Sequence, residues 1–391
     1  MRYLLLRLKR FCGFITGFVF FLSGIVKLMD PVGAGLVMKE YYEFLHLGFL
    51  SFSAKPVGVF FALAETVTGT ALITGVWRRI TAQCAIAMQG FFTLLTLFLV
   101  IFNPEMDCGC FGEAIHLTHL QTFLKNIVLL ALLLTYYIPR KHLGETRKKK
   151  YVSFALVTAS VIAFTIYSWM TIPMMDFTAY KAGTELQVKT STHTEDIYES
   201  VFTYSKDGVT ENFTLDNLPD SSWTFVSAET RKKEGVEDTS VGLSFYSLST
   251  GEYQDEIAAD GPVMAVSVYD TDIPGRKWEK TEAFIRRAKA AGFKTLLLCA
   301  SEKNIPESLA EEAFISDYKT LISMNRSNGG VTYFKSGQLV RKWAGSKAPD
   351  LKTLEEISSA DATEIYISHN SKGSLGFQSF LLYVFVVMLL L

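Results

Sequence analysis

The sequence predicts a membrane bundle of α-helices followed by a soluble domain of α-helices and β-strands. Its 391 residues are 49% hydrophobic, with a mean hydropathy of +0.23 that is high for a soluble protein. The apolar residues concentrate in residues 1–175 and 375–391, whereas the residues between them are polar and mixed in charge. The 38 basic and 39 acidic residues nearly cancel. This composition excludes a disordered chain and a basic nucleic-acid-binding protein.

Five apolar runs approach or exceed the ~20 residues that an α-helix needs to cross a bilayer, and a sixth, shorter run ends the chain and lacks a flanking charge. They are Phe11–Met29, Val57–Val76, Ile80–Phe102, Leu120–Ile138, Val152–Ile172 and Leu375–Leu391. The first run follows a basic segment, as in a signal peptide, but it is long and residues 32–34 make a poor cleavage site. We therefore expect an uncleaved first helix in a multi-pass protein whose surroundings are the lipid bilayer.

Lysine and arginine residues cluster in alternate connections between the apolar runs. Residues 2–10, 78–79 and 140–150 carry these clusters, whereas the loop 103–119 has neither residue type. Because basic loops stay on the cytoplasmic side, the three basic segments are predicted to be cytoplasmic. The loop 103–119 and the soluble domain then face outside. The sequence thus predicts a bacterial inner-membrane protein with a cytoplasmic N-terminus and a periplasmic soluble domain.

One carboxylate, Glu65, lies in the middle of the second apolar run. A charged group at mid-bilayer costs about 2.5–3.5 kcal/mol on insertion scales, so it normally faces the bundle interior and has a partner. Lys27 is the nearest candidate partner by depth, Lys125 is another, and Asp30 lies close to Lys27 in the sequence. Two interpretations remain open: a structural ion pair in the bundle, or a site that handles protons or contacts a quinone.

Two cysteines, Cys108 and Cys110, are separated by one glycine in the loop predicted to face outside. A redox-active pair is favoured, because a small strained disulfide ring is readily exchanged. A structural disulfide is a second interpretation. A third is a copper or zinc site completed by His116 and His119, although this spacing is not a usual zinc pattern. The other cysteines lie in apolar runs and are predicted to be buried: Cys12, Cys84 and Cys299.

The charges around the cysteine pair predict its reactivity. Asp107 and Glu113 flank the pair, and the loop has no lysine or arginine. Because nearby carboxylates disfavour the thiolate, they are expected to raise the pKa of the thiols. The pair should therefore be a slow nucleophile as a dithiol, but reducible as a disulfide.

Several short motifs together resemble the DoxX/MauE-like membrane proteins, particularly the forms common in Bacteroidetes. In chain order, the motifs are Phe21–Pro31, Ala64-Glu65, Gly75–Arg79, Phe102–Pro104 and Asp107–Gly112. The resemblance covers about residues 10–138 and implies a four-helix membrane bundle. The element Cys-Gly-Cys-Phe-Gly at 108–112 is typical of the MauE-like branch.

The resemblance implies thiol–disulfide or quinone-linked redox chemistry in the bacterial envelope. It makes Cys108 and Cys110 the candidate catalytic pair, with Glu65, Lys27 and Asp30 in supporting roles. It also implies a quinone as candidate cofactor and a periplasmic thiol or disulfide protein as partner. MauE-like proteins are linked to disulfide formation during maturation of methylamine dehydrogenase, but nothing in this sequence indicates methylamine.

Residues 176–238 begin the predicted exported domain and are rich in strand signals. The stretches 201–204 and 212–215 contain alternating apolar and polar residues. The sequence Lys-Asp-Gly at 206–208 predicts a hairpin turn between them. A further strand is expected over 242–246.

Residues 239–358 combine continuous apolar runs, typical of buried strands, with helical patterns. The predicted elements are strand 262–269, helix 278–291, strand 294–299, helix 307–314 and a hairpin of strands 330–334 and 338–343. This order resembles the thioredoxin-like domains exported by Bacteroidetes. However, the loop 270–278 lacks the redox C-x-x-C, and residues 327–330 lack the usual cis-proline. We expect no thioredoxin-type exchange, and we favour a binding domain that docks proteins near Cys108 and Cys110 over a spacer.

The predicted organisation has five parts. They are a four-helix bundle (1–138), a basic loop with a fifth helix (139–175), a β-rich segment (176–238), a thioredoxin-like domain without C-x-x-C (239–358), and a linker with a hydrophobic helix (359–391). The favoured function is an accessory role in thiol–disulfide redox processes of the envelope, with a quinone as candidate acceptor. The alternatives are a non-catalytic scaffold with a structural disulfide and a metal-handling site at Cys108, Cys110, His116 and His119. Whether the protein is an enzyme stays open.

Overall fold

The computed structural model describes residues 2–104, 106–138, 146–187, 198–206, 209–214, 219, 223–232 and 240–390. The chain divides into two compact units. Unit 1 comprises residues 1–178 and 367–391, and unit 2 comprises residues 179–366. Unit 2 is therefore an insertion between the last two helices of unit 1.

The helices and strands of the described residues are numbered in chain order. The α-helices are α1 (Arg2–Met29), α2 (Pro31–Phe44), α3 (Ala54–Thr74), α4 (Arg78–Phe102), α5 (His119–Tyr137), α6 (Lys148–Met170), α7 (Gly275–Ala290), α8 (Tyr318–Met324), α9 (Leu351–Ser359) and α10 (Ala362–Leu390). The strands are β1 (Cys110–Glu113), β2 (Glu185–Gln187), β3 (Tyr198–Lys206), β4 (Val209–Thr214), β5 (Thr224–Lys232), β6 (Ser240–Gly242), β7 (Tyr246–Ser247), β8 (Pro262–Val268), β9 (Lys294–Cys299), β10 (Ala313–Ile315), β11 (Gly330–Lys335) and β12 (Gln338–Trp343).

Unit 1 contains six helices that are long and apolar enough to cross a membrane, counted over the residues described. They span Arg7–Met29, Gly48–Thr74, Arg78–Phe102, His119–Tyr137, Lys148–Met170 and Ala362–Leu390. The six predicted apolar runs are thereby confirmed as helices, and the protein is a multi-span membrane protein. The last helix begins at Ala362 rather than at Leu375 and so includes most of the predicted linker.

Small residues bring α1 and α3 into close contact. A side chain at Gly24 would collide with Thr66, and one at Gly69 would collide with the backbone of Phe21. Such small residues let membrane helices approach closely, which replaces the hydrophobic driving force that lipid does not provide. α3 ends where Gly75 adopts a left-handed conformation, with φ of 72°. This contact aligns the polar residues of α1 and α3.

Helix α2 was not predicted from the sequence. It begins at Asp30, whose carboxylate accepts a hydrogen bond from the Gly33 N–H at 2.9 Å, with Pro31 at the first helical position. Both features are typical of helix N-termini. α2 packs against α3, where Gly58 leaves space for the backbone of Ala34.

Helices α6 and α10 pack side by side in opposite directions. The Ser153 hydroxyl donates to the Val387 carbonyl at 2.8 Å, and the Lys150 ammonium donates to the Met388 carbonyl at 2.9 Å. At the other end, a side chain at Gly373 would meet the Met174 carbonyl. The chain thus leaves unit 1 and returns to it at the same end of this helix pair.

Unit 2 is built on an eight-stranded mixed sheet in the order β6-β2-β12-β11-β8-β9-β10-β7. β8 runs parallel to β9, and β9 runs parallel to β10, whereas β11 is antiparallel to β8 and β12 is antiparallel to β11. Two hydrophobic clusters contain the buried side chains of these strands together with those of the helices. The predicted strands 262–269 and 294–299, the helix between them and the closing hairpin are confirmed.

Several predictions for unit 2 need correction. The helix expected over 307–314 is a 3-10 turn, Glu307–Glu312, followed by β10. The buried Ala313 and Phe314 belong to that strand, which pairs with β9. Helices α8 and α9 were not predicted from the sequence. The short strands β2 and β6 join the large sheet, so the predicted boundary between 176–238 and 239–358 does not separate two structural units.

A separate three-stranded antiparallel sheet has the order β4-β3-β5. Lys206 at the end of β3 pairs with Val209 at the start of β4, in agreement with the predicted hairpin. The remaining two residues of the predicted turn, 207 and 208, lie outside the described residues.

Candidate functional site

A cavity of about 300 Å³ lies inside unit 1 among helices α1 to α5 and the Cys-Gly-Cys loop. This volume is at the lower end of the range for small-molecule sites. Its lining is mainly apolar and includes four phenylalanines: Phe20, Phe61, Phe91 and Phe92. Its polar lining residues include Ser23, Lys27, Tyr41, Glu65, Gln89 and Asn126. Both Cys108 and Cys110 also line the cavity.

The predicted pairing of Lys27 with Glu65 is present. The Lys27 ammonium lies 2.7 Å from Glu65 Oε2, and the two side chains are 17% and 7% exposed. The same ammonium donates a hydrogen bond to Ser23 Oγ at 3.2 Å. An ammonium has three N–H donors, so one remains for a further partner. Lys27 lines the cavity, and its ammonium also lies 6.0 Å from the centre of the Phe92 ring.

Ser23 connects this ion pair to the cysteine loop. Its hydroxyl donates to the carbonyl oxygen of Cys110 at 2.5 Å. A continuous chain of polar contacts therefore runs from Glu65 through Lys27 and Ser23 to Cys110. Ser23 is nearly buried, so water does not compete strongly for these hydrogen bonds.

Cys108 is held by a second hydroxyl. The Tyr41 hydroxyl donates to the Cys108 carbonyl at 2.9 Å. The Cys108 side chain packs with Tyr41 and Leu99 in a small hydrophobic cluster. Burial raises the pKa of the Cys108 thiol; the charges of Cys110 and Asp107 act in the same direction, whereas Thr122 and Lys125 oppose them. For Cys108 the predicted increase is present, but burial contributes more to it than the flanking carboxylate.

Gly109 between the cysteines has a left-handed φ of +60°, and a side chain there would collide with Val37 on α2. A residue with a Cβ would be strained at this position for both reasons. Cys108 is buried and Cys110 is partly exposed, and both are free cysteines in the structure.

Comparison with known families identifies this part of the chain. Residues 3–139 match the family model of the methylamine utilisation protein MauE. The match covers about a third of the chain and shows that this part is similar to the MauE family. We call residues 3–139 the MauE region; they contain α1 to α5, the Cys-Gly-Cys loop and all the residues that line the cavity. The MauE part of the predicted resemblance is thereby confirmed.

A second match lies in unit 2. Residues 198–234 match a domain of unknown function (DUF8463), which corresponds to the three-stranded sheet β4-β3-β5. Comparisons of the chain with curated proteins and with solved structures found no match. The MauE region therefore carries the family relationship, and the large sheet of unit 2 lies outside both family matches.

The MauE region does not bring every predicted site residue into the cavity. Asp30 caps α2 and is not among the cavity-lining residues. Lys125 lines the cavity, but its ammonium lies 4.8 Å from the centre of the Phe111 ring rather than beside Glu65. Asp30 thus has a structural position, and Lys27 is the partner of Glu65.

The metal-site alternative receives no geometric support from the MauE region. His116 pairs with Asp107 at 3.2 Å on the surface. The His119 ring instead contacts Asn103 Oδ1 at 3.2 Å and the Met106 carbonyl at 2.9 Å. Among the described residues, no group of three or more His, Cys, Asp or Glu side chains is placed to hold a metal ion.

Sequence reasoning missed five residues of the cavity and its surroundings. Ser23 and Tyr41 hold the cysteine carbonyls, while Gln89, Thr96 and Asn126 form a buried network. In that network, Gln89 donates to the Asn126 carbonyl at 3.1 Å and Asn126 donates to Thr96 Oγ1 at 3.2 Å. A signal was available, because amides within apolar helices normally face the bundle interior.

In unit 2, the two loops singled out in the sequence meet. The Asp270 N–H donates to Asn328 Oδ1 at 3.2 Å, and the Asn328 side-chain amide donates to the Asp270 carbonyl at 2.7 Å. The one cysteine of this unit, Cys299, is buried in β9, and burial raises its pKa to about 12. Cys299 is therefore a structural residue, as predicted.

Proposed function

We propose that the protein is an accessory membrane protein for thiol–disulfide redox processes in the bacterial envelope, with a quinone as electron acceptor. The observation that supports this proposal is the position of Cys108 and Cys110 on one membrane-embedded cavity with the Lys27–Glu65 ion pair. A charged pair at membrane depth normally marks a functional site. Methylamine dehydrogenase is not proposed as the client, because no feature of the cavity points to it.

The cavity residues fit a quinone in chemistry. The lining is apolar and aromatic, as a quinone ring and its isoprenoid tail require. The ammonium of Lys27, a cavity-lining residue, suits a carbonyl oxygen. Oxidation of the Cys108/Cys110 dithiol to a disulfide releases two electrons and two protons, and a bound quinone would accept both. The apolar lining would exclude water from the reacting groups.

The exchange partner at the outer face is proposed to be a periplasmic dithiol protein. The partner's two thiols are oxidised while the Cys108–Cys110 disulfide is reduced, so electrons pass from the partner to the protein. The first bond to form would join a partner sulfur to Cys110 or Cys108, and the bond that breaks is the internal disulfide. The partly exposed Cys110 is the more accessible of the two.

The experiment uses the full chain, reduced and reconstituted in lipid nanodiscs, with decyl-ubiquinone or a short-chain menaquinone as acceptor. We expect quinol formation with one Cys108–Cys110 disulfide per quinol, measured by absorbance and by mass spectrometry of the loop peptide. Cys108→Ser and Cys110→Ser should abolish the reaction. If a chemical oxidant converts the dithiol to the disulfide but neither quinone does so, the proposal of a quinone as acceptor is refuted.

A matched pair of variants tests the cavity itself. Val57 lines the cavity, so Val57→Phe should narrow it and slow quinone reduction. Val152 on α6 is 57% exposed, and Val152→Phe should leave the rate unchanged. Equal rates for the two variants would contradict a quinone site in this cavity.

The second candidate function is a non-catalytic scaffold. It is favoured by the burial of Cys108 and the raised pKa of its thiol. A buried thiol with a raised pKa forms little thiolate and is therefore unreactive, as structural cysteines are. This function is supported if neither glutathione disulfide nor dithiothreitol changes the redox state of the Cys108–Cys110 pair in the folded protein.

For orientation, we propose that the N-terminus is cytoplasmic and that unit 2 is periplasmic in the inner membrane. The basic residues 148–150 begin α6, and the Lys150 ammonium contacts the last turn of α10. The two connections to unit 2 leave from the opposite ends of these helices. This arrangement supports one side for the basic segment and the other for unit 2.

For unit 2, we propose a thioredoxin-like fold that has lost its redox motif and binds partner proteins. The support is the β8-α7-β9 parallel unit followed by the β11–β12 hairpin. The contact between Asp270 and Asn328 stands where a redox motif and a cis-proline are expected. Capture of the dithiol client of the cysteine pair by immobilised unit 2 would support the binding role. Loss of capture in the Asp270→Lys variant would locate the binding surface at Asp270.

A further inference from the structure

Two amide side chains line the cavity on the side of α4 and α5. Gln89 lies on α4 and Asn126 lies on α5, and both are buried, with 1% and 2% of their surfaces exposed. Both residues line the cavity. A side-chain amide has one oxygen that accepts hydrogen bonds and one NH₂ group that donates them. The direction of each amide therefore decides what it offers to a ligand.

The NH₂ groups of both amides are used within the protein. Gln89 Nε2 donates to the Asn126 carbonyl at 3.1 Å. Asn126 Nδ2 donates to the Phe92 carbonyl at 3.4 Å and to Thr96 Oγ1 at 3.2 Å. A backbone carbonyl can only accept, and the Thr96 hydroxyl itself donates to the Phe92 carbonyl at 2.8 Å. These partners fix the nitrogen of each amide in its place, so the remaining position of each amide is its oxygen.

The two amide oxygens reach the cavity. Within the described residues, neither Gln89 Oε1 nor Asn126 Oδ1 accepts a hydrogen bond. Neither oxygen is among the fully enclosed polar atoms that lack a partner, so each reaches open space. For two buried side chains that line the cavity, this space is the cavity itself. Because a buried acceptor without a partner is unfavourable, the two oxygens favour a ligand that brings a hydrogen-bond donor.

We propose that Gln89 and Asn126 form an acceptor site for a ring hydroxyl of the ligand in the cavity. That the ligand is a quinone rests on the proposed function. The reduced form, a quinol, has two O–H donors where the quinone has two carbonyl acceptors. The amide oxygens therefore bind the reduced ring, whereas the Lys27 ammonium suits a carbonyl of the oxidised one. The acceptor site thus adds affinity for the quinol, which is the product of dithiol oxidation.

The test uses two probes that differ in one donor and do not oxidise thiols. The first, para-hexylphenol, has an aromatic O–H. The second, para-hexylanisole, keeps the oxygen on the ring but carries a methyl group in place of that hydrogen. Dissociation constants are measured with tritiated probes on the full chain in nanodiscs, and empty nanodiscs give the background from lipid partitioning. We expect the wild type to bind the phenol about twofold to tenfold more tightly than the anisole, the range for one hydrogen bond.

Variants of the two amides locate this preference. Gln89→Met and Asn126→Leu replace the amide by an apolar group of similar size, so each should bring the ratio of the two dissociation constants closer to one. Loss of structure alone would weaken both probes alike and leave the ratio unchanged. Thr93→Val is the matched control, because the Thr93 hydroxyl donates to the Gln89 carbonyl at 2.7 Å and the residue is not among those that line the cavity. Val57→Phe should weaken both probes, since Val57 lines the cavity.

Equal affinities for the two probes in the wild type overturn the acceptor site, and so does a ratio that Gln89→Met and Asn126→Leu leave at the value of Thr93→Val. Absence of saturable binding, or binding that Val57→Phe does not weaken, also overturns it. If the preference is present and depends on the amides, but neither quinone oxidises the Cys108–Cys110 dithiol, the acceptor site stands and the quinone proposal fails. If a quinone oxidises the dithiol but the preference is absent, the quinone proposal stands and the acceptor site fails.

Discussion

Removal of the Glu65 carboxylate is expected to destabilise unit 1, because it leaves the Lys27 ammonium without its counter-charge. The two groups are 2.7 Å apart, with side chains 7% and 17% exposed. At an effective dielectric constant near 20, their attraction is about 6 kcal/mol. The cost of taking two ions out of water offsets most of this, so the intact pair adds little net stability.

Breaking the pair has a different cost. Removing one partner of a buried ion pair typically costs about 3–5 kcal/mol. Lys27 keeps some contact with solvent, so we expect Glu65→Ala to cost about 3 kcal/mol, the lower end of that range. Glu65→Gln should cost less, since it still accepts a hydrogen bond. Glu65→Lys should cost more, since it adds a second buried cation.

The assay is the free energy of unfolding of the full chain in mixed micelles, measured by steric trapping. Lys39 and Glu43 provide the matched control, because they form an ion pair at 4.0 Å with both side chains exposed. Glu43→Ala should change the free energy by less than about 1 kcal/mol. The double variant Lys27→Met/Glu65→Leu should be close to wild type. The reasoning is refuted if Glu65→Ala costs no more than Glu43→Ala, or if the double variant costs the sum of its single changes.

Three further predictions follow from the cysteine loop and the orientation. In cells, Cys110→Ser or Cys108→Ser should accumulate a mixed disulfide with the natural partner, seen on a non-reducing gel; absence of an adduct in both variants would favour the scaffold. In Cys110→Ser, burial should keep the pKa of the Cys108 thiol above its ordinary value. The alkylation rate of Cys108 should therefore still rise at pH values where the rate for an exposed thiol has levelled off. A plateau at or below about pH 8.5 would contradict this. In spheroplasts, an impermeant lysine reagent should label residues 179–366 and spare Lys148–Lys150; the opposite pattern would invert the topology.

The sequence by itself determined the membrane architecture, because crossing a bilayer imposes a strong requirement on composition. About 20 apolar residues are needed for each span, and the six runs that meet this requirement are the six long helices of the structure. The same requirement made the pairing of Glu65 with Lys27 predictable, since a carboxylate among apolar residues needs a partner. The Cys-Gly-Cys element pointed to the MauE family because its residues are adjacent in the chain and can be recognised without the fold.

Only the tertiary structure decided how the cysteine loop is held. Ser23 and Cys110 are 87 positions apart, and Tyr41 and Cys108 are 67 positions apart. A hydroxyl that donates to a distant backbone carbonyl leaves no local pattern, since serine and tyrosine occur in many environments. The short strand β10 escaped prediction because its identity depends on pairing with β9. Contacts of this kind exist only once the chain has folded, and they define the surroundings of the candidate site.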